Sequence, residues 1–193
     1  MNHLTREDLF TLEKYATIKN EFRKQVIEHK KKRQIAIGEH ATLYFEDKLT
    51  MQYQIQEMLR LERMFEPELI QDELDVYNPL IPDGHNWKAT FMIEYPDVEE
   101  RKIALTKLVG IEDTTWVRVD KFDKVYAICN EDLDRTEPNK TSAVHFMRFE
   151  LTPEMIAAVK NGKKISMGID LPAYKMETEL TDPQRASLAA DLK

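Results

Sequence analysis

The sequence predicts an α+β fold, with a mainly antiparallel sheet, flanking helices and a long helix or helix pair at the N-terminus. Three observations carry this. Apolar residues in the first 33 positions recur at helical spacing. Short alternating segments come in pairs, as in hairpins. Helical stretches fall between the pairs irregularly, which disfavours a doubly wound parallel sheet. A chain of 193 residues is read as one domain, residues 1–193, in which segment 1–33 packs on the α+β core.

The elements follow in order. Thr5 with Asp8 has the form of a capping box, and Leu9, Leu12, Ile18, Phe22, Val26 and Ile27 can supply the buried face of a helix running to about Arg33, with a break near Thr17. His29-Lys30-Lys31-Lys32-Arg33 closes it, where cations meet the exposed carbonyls. Gln34 to Ile37 and Thr42 to Phe45 alternate around Gly38-Glu39-His40 and predict a hairpin. Asp47 can cap a helix through Glu66, and Glu68 to Tyr77 is a second, acidic helix. Asn78-Pro79-Leu80-Ile81-Pro82-Asp83-Gly84 breaks regular structure. Trp87 to Tyr95 reads as a strand, and Asp97 caps a helix to Leu108 with Val98, Leu105 and Leu108 inward. Trp116 to Val119 and Val125 to Ile128 are short strands, and Glu131 to Lys140 is a charged loop. Ser142 to Leu151 is a strand, Thr152-Pro153 starts a helix ended by Asn161-Gly162, Ile165 to Ile169 is a half-buried strand, and Asp182-Pro183 opens a last helix.

Composition removes several function classes. A formal net charge of -7 disfavours a protein that coats nucleic acid, which needs a basic excess. No apolar run approaches a membrane span. The single Cys129 leaves no internal disulfide and no Cys-only metal site, which fits a reducing compartment. The start Met1-Asn2-His3-Leu4-Thr5-Arg6-Glu7 has no apolar signal core. A cytoplasmic protein without nucleic-acid or membrane partners is expected.

Chemical motifs are absent. There is no glycine-rich phosphate loop, no nucleophile elbow, no His-Glu-x-x-His and no Glu-x-x-His. His3, His29, His40, His85 and His145 are scattered. No metal site or cofactor is predicted, and only His85 and His145 are candidates should iron or haem bind.

One position carries the functional reading. At about 100° per residue, Met51, Ile55, Met58 and Phe65 share a narrow sector of the Lys48–Glu66 helix, with Glu62 inside it and Gln54 at its edge. A buried carboxylate needs a partner or a proton. His145 and Arg148, on opposite faces of the Ser142–Leu151 strand, are the candidate partners, and the three together are the candidate catalytic residues. Gln52, Gln56, Arg60 and Arg63 share one face with Glu57 on the flank, and this amide-rich surface is either solvated or, with Gln54, a binding surface for a ligand or partner. Asp83, His85 and Trp87 belong to a loop whose prolines fix its path, either a rigid connection or a binding loop.

Four segments are similar to one bacterial family, a domain of unknown function. They are Gln52-Tyr53-Gln54-Ile55-Gln56-Glu57-Met58, Asn78-Pro79-Leu80-Ile81-Pro82-Asp83-Gly84, Tyr95-Pro96-Asp97-Val98-Glu99-Glu100-Arg101 and Thr141-Ser142-Ala143-Val144-His145-Phe146. The likeness covers nearly the whole chain. It implies a gene neighbourhood shared with rubrerythrin and iron–sulfur-binding oxidoreductases, hence peroxide or redox handling, and it assigns no catalytic residue. Two expectations follow. The first is an accessory protein that docks on a redox enzyme or helps assemble it. The second is a small enzyme or ligand-binding protein with an acid/base pocket around Glu62 and His145 or Arg148. Iron or haem binding is a third.

Overall fold

A computed structural model describes residues 3–129, 131, 133 and 135–193. Asp132 and Asp134, within the charged loop expected over 131–140, lie outside the described residues. The architecture is α+β with antiparallel sheets. Among the described residues the helices are α1 (Leu12–Lys31), α2 (Lys48–Glu62), α3 (Pro67–Tyr77), α4 (Val98–Lys107), α5 (Pro153–Lys160) and α6 (Asp182–Ala189). The strands are β1 (Gln34–Ala36), β2 (Ala41–Phe45), β3 (Asn86–Ile93), β4 (Thr115–Val119), β5 (Val125–Tyr126), β6 (Ile128–Cys129), β7 (Val144–Glu150), β8 (Ile165–Ile169) and β9 (Met176–Glu179).

The strands form two sheets rather than one, ordered β1-β2-β3-β7-β6 and β5-β4-β8-β9. The segment expected to be one strand from Val125 to Ile128 divides at Ala127, with β5 pairing to β4 and β6 to β7. Strand β9 was not foreseen: it is a mostly exposed edge whose Met-Glu-Thr-Glu sequence has no apolar alternation.

Period-two patterning sends alternate residues inward. Ile35, Leu43, Phe45, Trp87, Phe91, Met147 and Phe149 of the first sheet meet Val117, Val119, Ile165, Met167 and Ile169 of the second in one apolar cluster. Helices α4, α5 and α6 add Leu105, Met155, Ile156, Val159 and Leu188 to it. Leu105 and Leu108 face inward as expected, but Val98 is 49% exposed. It lies in the first turn of α4, immediately after the Asp97 cap. Tyr174 ties the two sheets together. Its hydroxyl donates to the Ile37 carbonyl and accepts from the His40 N–H, each at 2.9 Å. Gly38 sits beneath it at φ +75°, where a Cβ would stand 2.7 Å from the Tyr174 oxygen.

Helices α1 to α3 have their own apolar centres. Met51, Ile55, Leu59 and Leu74 gather with Leu4 and Ile81, while Tyr15, Phe22 and Val26 gather separately. The N-terminal break falls earlier than Thr17. The Thr5–Asp8 box closes only one 3-10 turn (Arg6–Asp8), and Thr11 caps α1 afresh by accepting from the Lys14 N–H. Asp47 caps α2 reciprocally with Thr50. No helix of the described residues is long and apolar enough to cross a membrane.

Candidate functional site

The acid expected to be buried is not. Helix α2 ends at Glu62, Arg63 turns left-handed at φ 54°, and Glu62 is exposed. Phe65, beyond the helix, is 66% exposed. Leu59 is the last buried residue of α2. Periodicity gave the right direction for Glu62, but the final turn runs past the elements that cover Met51, Ile55 and Leu59. The partners proposed for Glu62 are engaged elsewhere. Arg148 forks onto Glu131 at 2.8 and 2.9 Å and onto Glu150 at 2.5 Å. These bonds, Glu131 first, hold its guanidinium above its ordinary value despite burial.

His145 is fully buried and belongs to a different acid, Glu112, which is only 2% exposed. Its Nε2 lies 2.9 Å from Thr141 Oγ1, 3.1 Å from the Ser142 carbonyl and 3.8 Å from Glu112 Oε2. Thr141 Oγ1 donates to Glu112 Oε2 at 3.1 Å, and Thr136 Oγ1 donates to Oε1. With Nε2 beside a carbonyl, the consistent tautomer carries its proton there. Burial pushes the His145 pKa down against the opposing Glu112 charge, so the ring is held neutral. Nearby Cys129 donates to the Glu112 carbonyl at 3.6 Å, and burial raises its thiol to about 12. The raised pKa favours the protonated thiol over the thiolate nucleophile.

Much of the amide-rich face of α2 is taken up by the chain itself, while Arg60 keeps a partly exposed side chain. Gln56 is fully buried and bonds both backbone groups of Phe10. Gln52 Nε2 donates to the Asp8 carbonyl at 2.6 Å. Glu57 accepts from Tyr15 Oη at 2.8 Å and from Arg60. These side chains dock the N-terminal segment and α1. Gln54 is half-buried beside them.

The proline-rich loop divides in the same way. Trp87 is fully buried and donates through Nε1 to the Leu188 carbonyl at 2.9 Å, which makes it core. Asp83 accepts from the His85 N–H and the Asn86 amide. Burial pushes its carboxyl up, but those two bonds and the charge of Lys88 outweigh it and leave the pKa lowered. The His85 side chain is exposed. Among the described residues there is no group of three or more His, Cys, Asp or Glu that could hold a metal ion.

The structure assembles a different site on the outer face of the first sheet. Register places Thr42, Met92 and Val144 in one cross-strand row, Tyr44, Thr90 and Phe146 in the next, and Lys88 opposite Arg148 beyond them. All are half-buried. Over the Lys88 end lies a groove of about 610 Å³. Its walls are Asp75, Val76 and Tyr77 of α3, Pro79 and Leu80 of the following turn, and Glu131 and Arg135 on the far side. Its floor is Lys88, Phe146, Met147 and Arg148. The Arg135 guanidinium stands 4.7 Å from the Phe146 ring centre, a cation–π contact. Lys88 Nζ donates to the Pro79 carbonyl at 2.5 Å. Burial pushes its pKa below the ordinary lysine value, with Asp83 opposing and Arg148 adding to the fall.

Of the residues singled out in the sequence, the groove and the polar alcove continuous with it contain Arg148 and Asp83. Lys88, Phe146 and Arg135 were missed, as was Glu112. The alternation around Trp87 puts Lys88 on the polar face of its strand, but only register sets it against Arg148. Together, these groups offer apolar side chains on one wall, an aromatic floor and cationic heads interspersed with the carboxylates of Asp75, Asp83, Glu131 and Glu150. That suits binding of an amphipathic molecule better than proton transfer.

A family model described as "Protein of unknown function (DUF3501)" matches residues 3–192. A crystal structure of a novel protein of unknown function from Burkholderia pseudomallei K96243 is 49% identical, with a TM-score of 0.94 and complete coverage of both chains. No curated protein matches the chain.

Proposed function

We propose that this chain, which belongs to the DUF3501 family, is a cytoplasmic accessory binding protein that works beside a redox enzyme. Its binding site would be the groove over Lys88 and Phe146. One observation supports the binding role: a half-buried lysine with no carboxylate within ion-pair reach among the described residues lies at the floor of an apolar-walled groove. A charge kept half out of water without an ionic partner is costly, and an occupant would relieve that cost. The redox partner and the peroxide setting rest on the family resemblance and its implied gene neighbourhood.

An enzymatic role has less support. The acid/base pocket expected around Glu62 has no buried acid, and the Glu112–Thr141–His145 chain is enclosed. Native mass spectrometry of the protein from its own host tests the binding reading. A bound mass, or a stoichiometric redox enzyme, that is present on the wild type and lost from Phe146→Glu is expected. Bare wild-type protein with no such companion would sink it.

A further inference from the structure

We propose that the groove takes a small amphipathic monocarboxylate, with its carboxylate at Lys88 Nζ and its apolar body over Phe146, against Val76 and Leu80. This rests on reading the groove as a binding site. An ammonium has three N–H donors, and the structure commits one of those of Lys88, to the Pro79 carbonyl. Arg148 faces Lys88 directly across the strand pair, and like charges so placed repel. Glu131 and Glu150 both contact the Arg148 guanidinium directly. No carboxylate among the described residues does the same for Lys88. An anion delivered from outside would meet the N–H donors of Lys88 that the Pro79 carbonyl leaves uncommitted.

The surroundings also select the kind of anion. Asp83, Glu131 and Glu150 act on Lys88 electrostatically without touching it. They would repel a phosphate dianion more strongly than a carboxylate. No glycine-rich loop offers the clustered N–H groups that phosphates use. The apolar wall is substantial: Val76 is 63% exposed. The volume of about 610 Å³ falls within the span of small-ligand sites, roughly 300–1,000 Å³.

Calorimetric titration of the full chain with octanoate, octyl phosphate and octanol tests this. Octanoate should bind tightest, at least tenfold tighter than octanol. Lys88→Met should reduce octanoate to the octanol level, while Lys88→Arg should retain it. Phe146→Ala should weaken all three probes. Equal binding of octanoate and octanol, tighter binding of octyl phosphate, or an unchanged octanoate affinity in Lys88→Met would overturn the carboxylate assignment while leaving the groove as a binding site. Failure of all three probes to bind folded wild type would overturn both. The wild-type probe series decides the matter even if a variant does not fold.

Discussion

The side-chain amide of Gln56 brackets the backbone of Phe10: its Oε1 accepts from the Phe10 N–H at 2.6 Å and its Nε2 donates to the Phe10 carbonyl at 3.3 Å. Asn78 does the same for Leu4, at 2.7 and 2.9 Å. Two amides thus pair the N-terminal segment as a neighbouring strand would. Gln56→Ala strips two backbone groups of their partner, which costs about 1–3 kcal/mol for a buried group left unmade. Chemical denaturation should show that loss. Amide exchange should accelerate at Phe10 and its neighbours and stay unchanged in β3 and β7.

A second prediction concerns Arg33, which is 2% exposed. Its guanidinium bonds Asp191 at 2.6 and 3.2 Å, and also the Phe45 and Glu46 carbonyls and Ser187. Burial raises the Asp191 carboxyl to about 6 even against the attraction of Arg33. Arg33→Met leaves that carboxylate stranded and should cost about 3–5 kcal/mol at neutral pH. Adding Asp191→Leu should restore much of the loss. A double variant no more stable than the single would contradict this account.

The third prediction is a pH dependence. His145 has a folded pKa below its ordinary 6.5 because burial disfavours its charge. Below 6.5 the unfolded chain binds a proton that the folded chain refuses. His145 therefore stabilises above 6.5, and that contribution drains away as pH falls from 6.5 toward the folded value. Asp191 has the opposite sign, since its raised pKa favours the folded state below 3.8 and costs stability as pH rises through about 6. Comparing wild type with His145→Gln isolates the histidine. The stability gap between them should narrow as pH drops below 6.5, and a gap independent of pH would refute the assignment.

The fourth prediction is small by design. Glu62→Ala removes an exposed carboxylate at the end of α2, and stability should change by less than about 0.5 kcal/mol. Glu112→Ala, which leaves the hydroxyls of Thr136 and Thr141 without their acceptor, should cost several times more in the same thermal melts.

Most elements were legible from local signals. Asp47, Asp97 and Thr152 mark helix starts that the structure uses, and the alternation around Gly38 marks the first hairpin. These signals act within one turn or one strand. What the chain could not reveal locally was where a neighbour stops. Glu62 points along the buried stripe but lies one turn beyond its cover. Gln56 looks like surface until the backbone of Phe10 is laid against it. Lys88 and Arg148, 60 positions apart, become a pair only through the β3–β7 register. Glu112 and His145 are likewise joined by folding rather than by spacing.

The groove has a wall in each of two bodies. Val76 and Leu80 extend the helical layer, while Phe146 and Lys88 belong to the sheets, and the two have separate apolar centres. Anything lodged there bridges them like a wedge in a joint. Occupancy should therefore be felt less as a shift of either half than as stronger mechanical coupling, with layers that loosen one after the other when empty giving way together when filled.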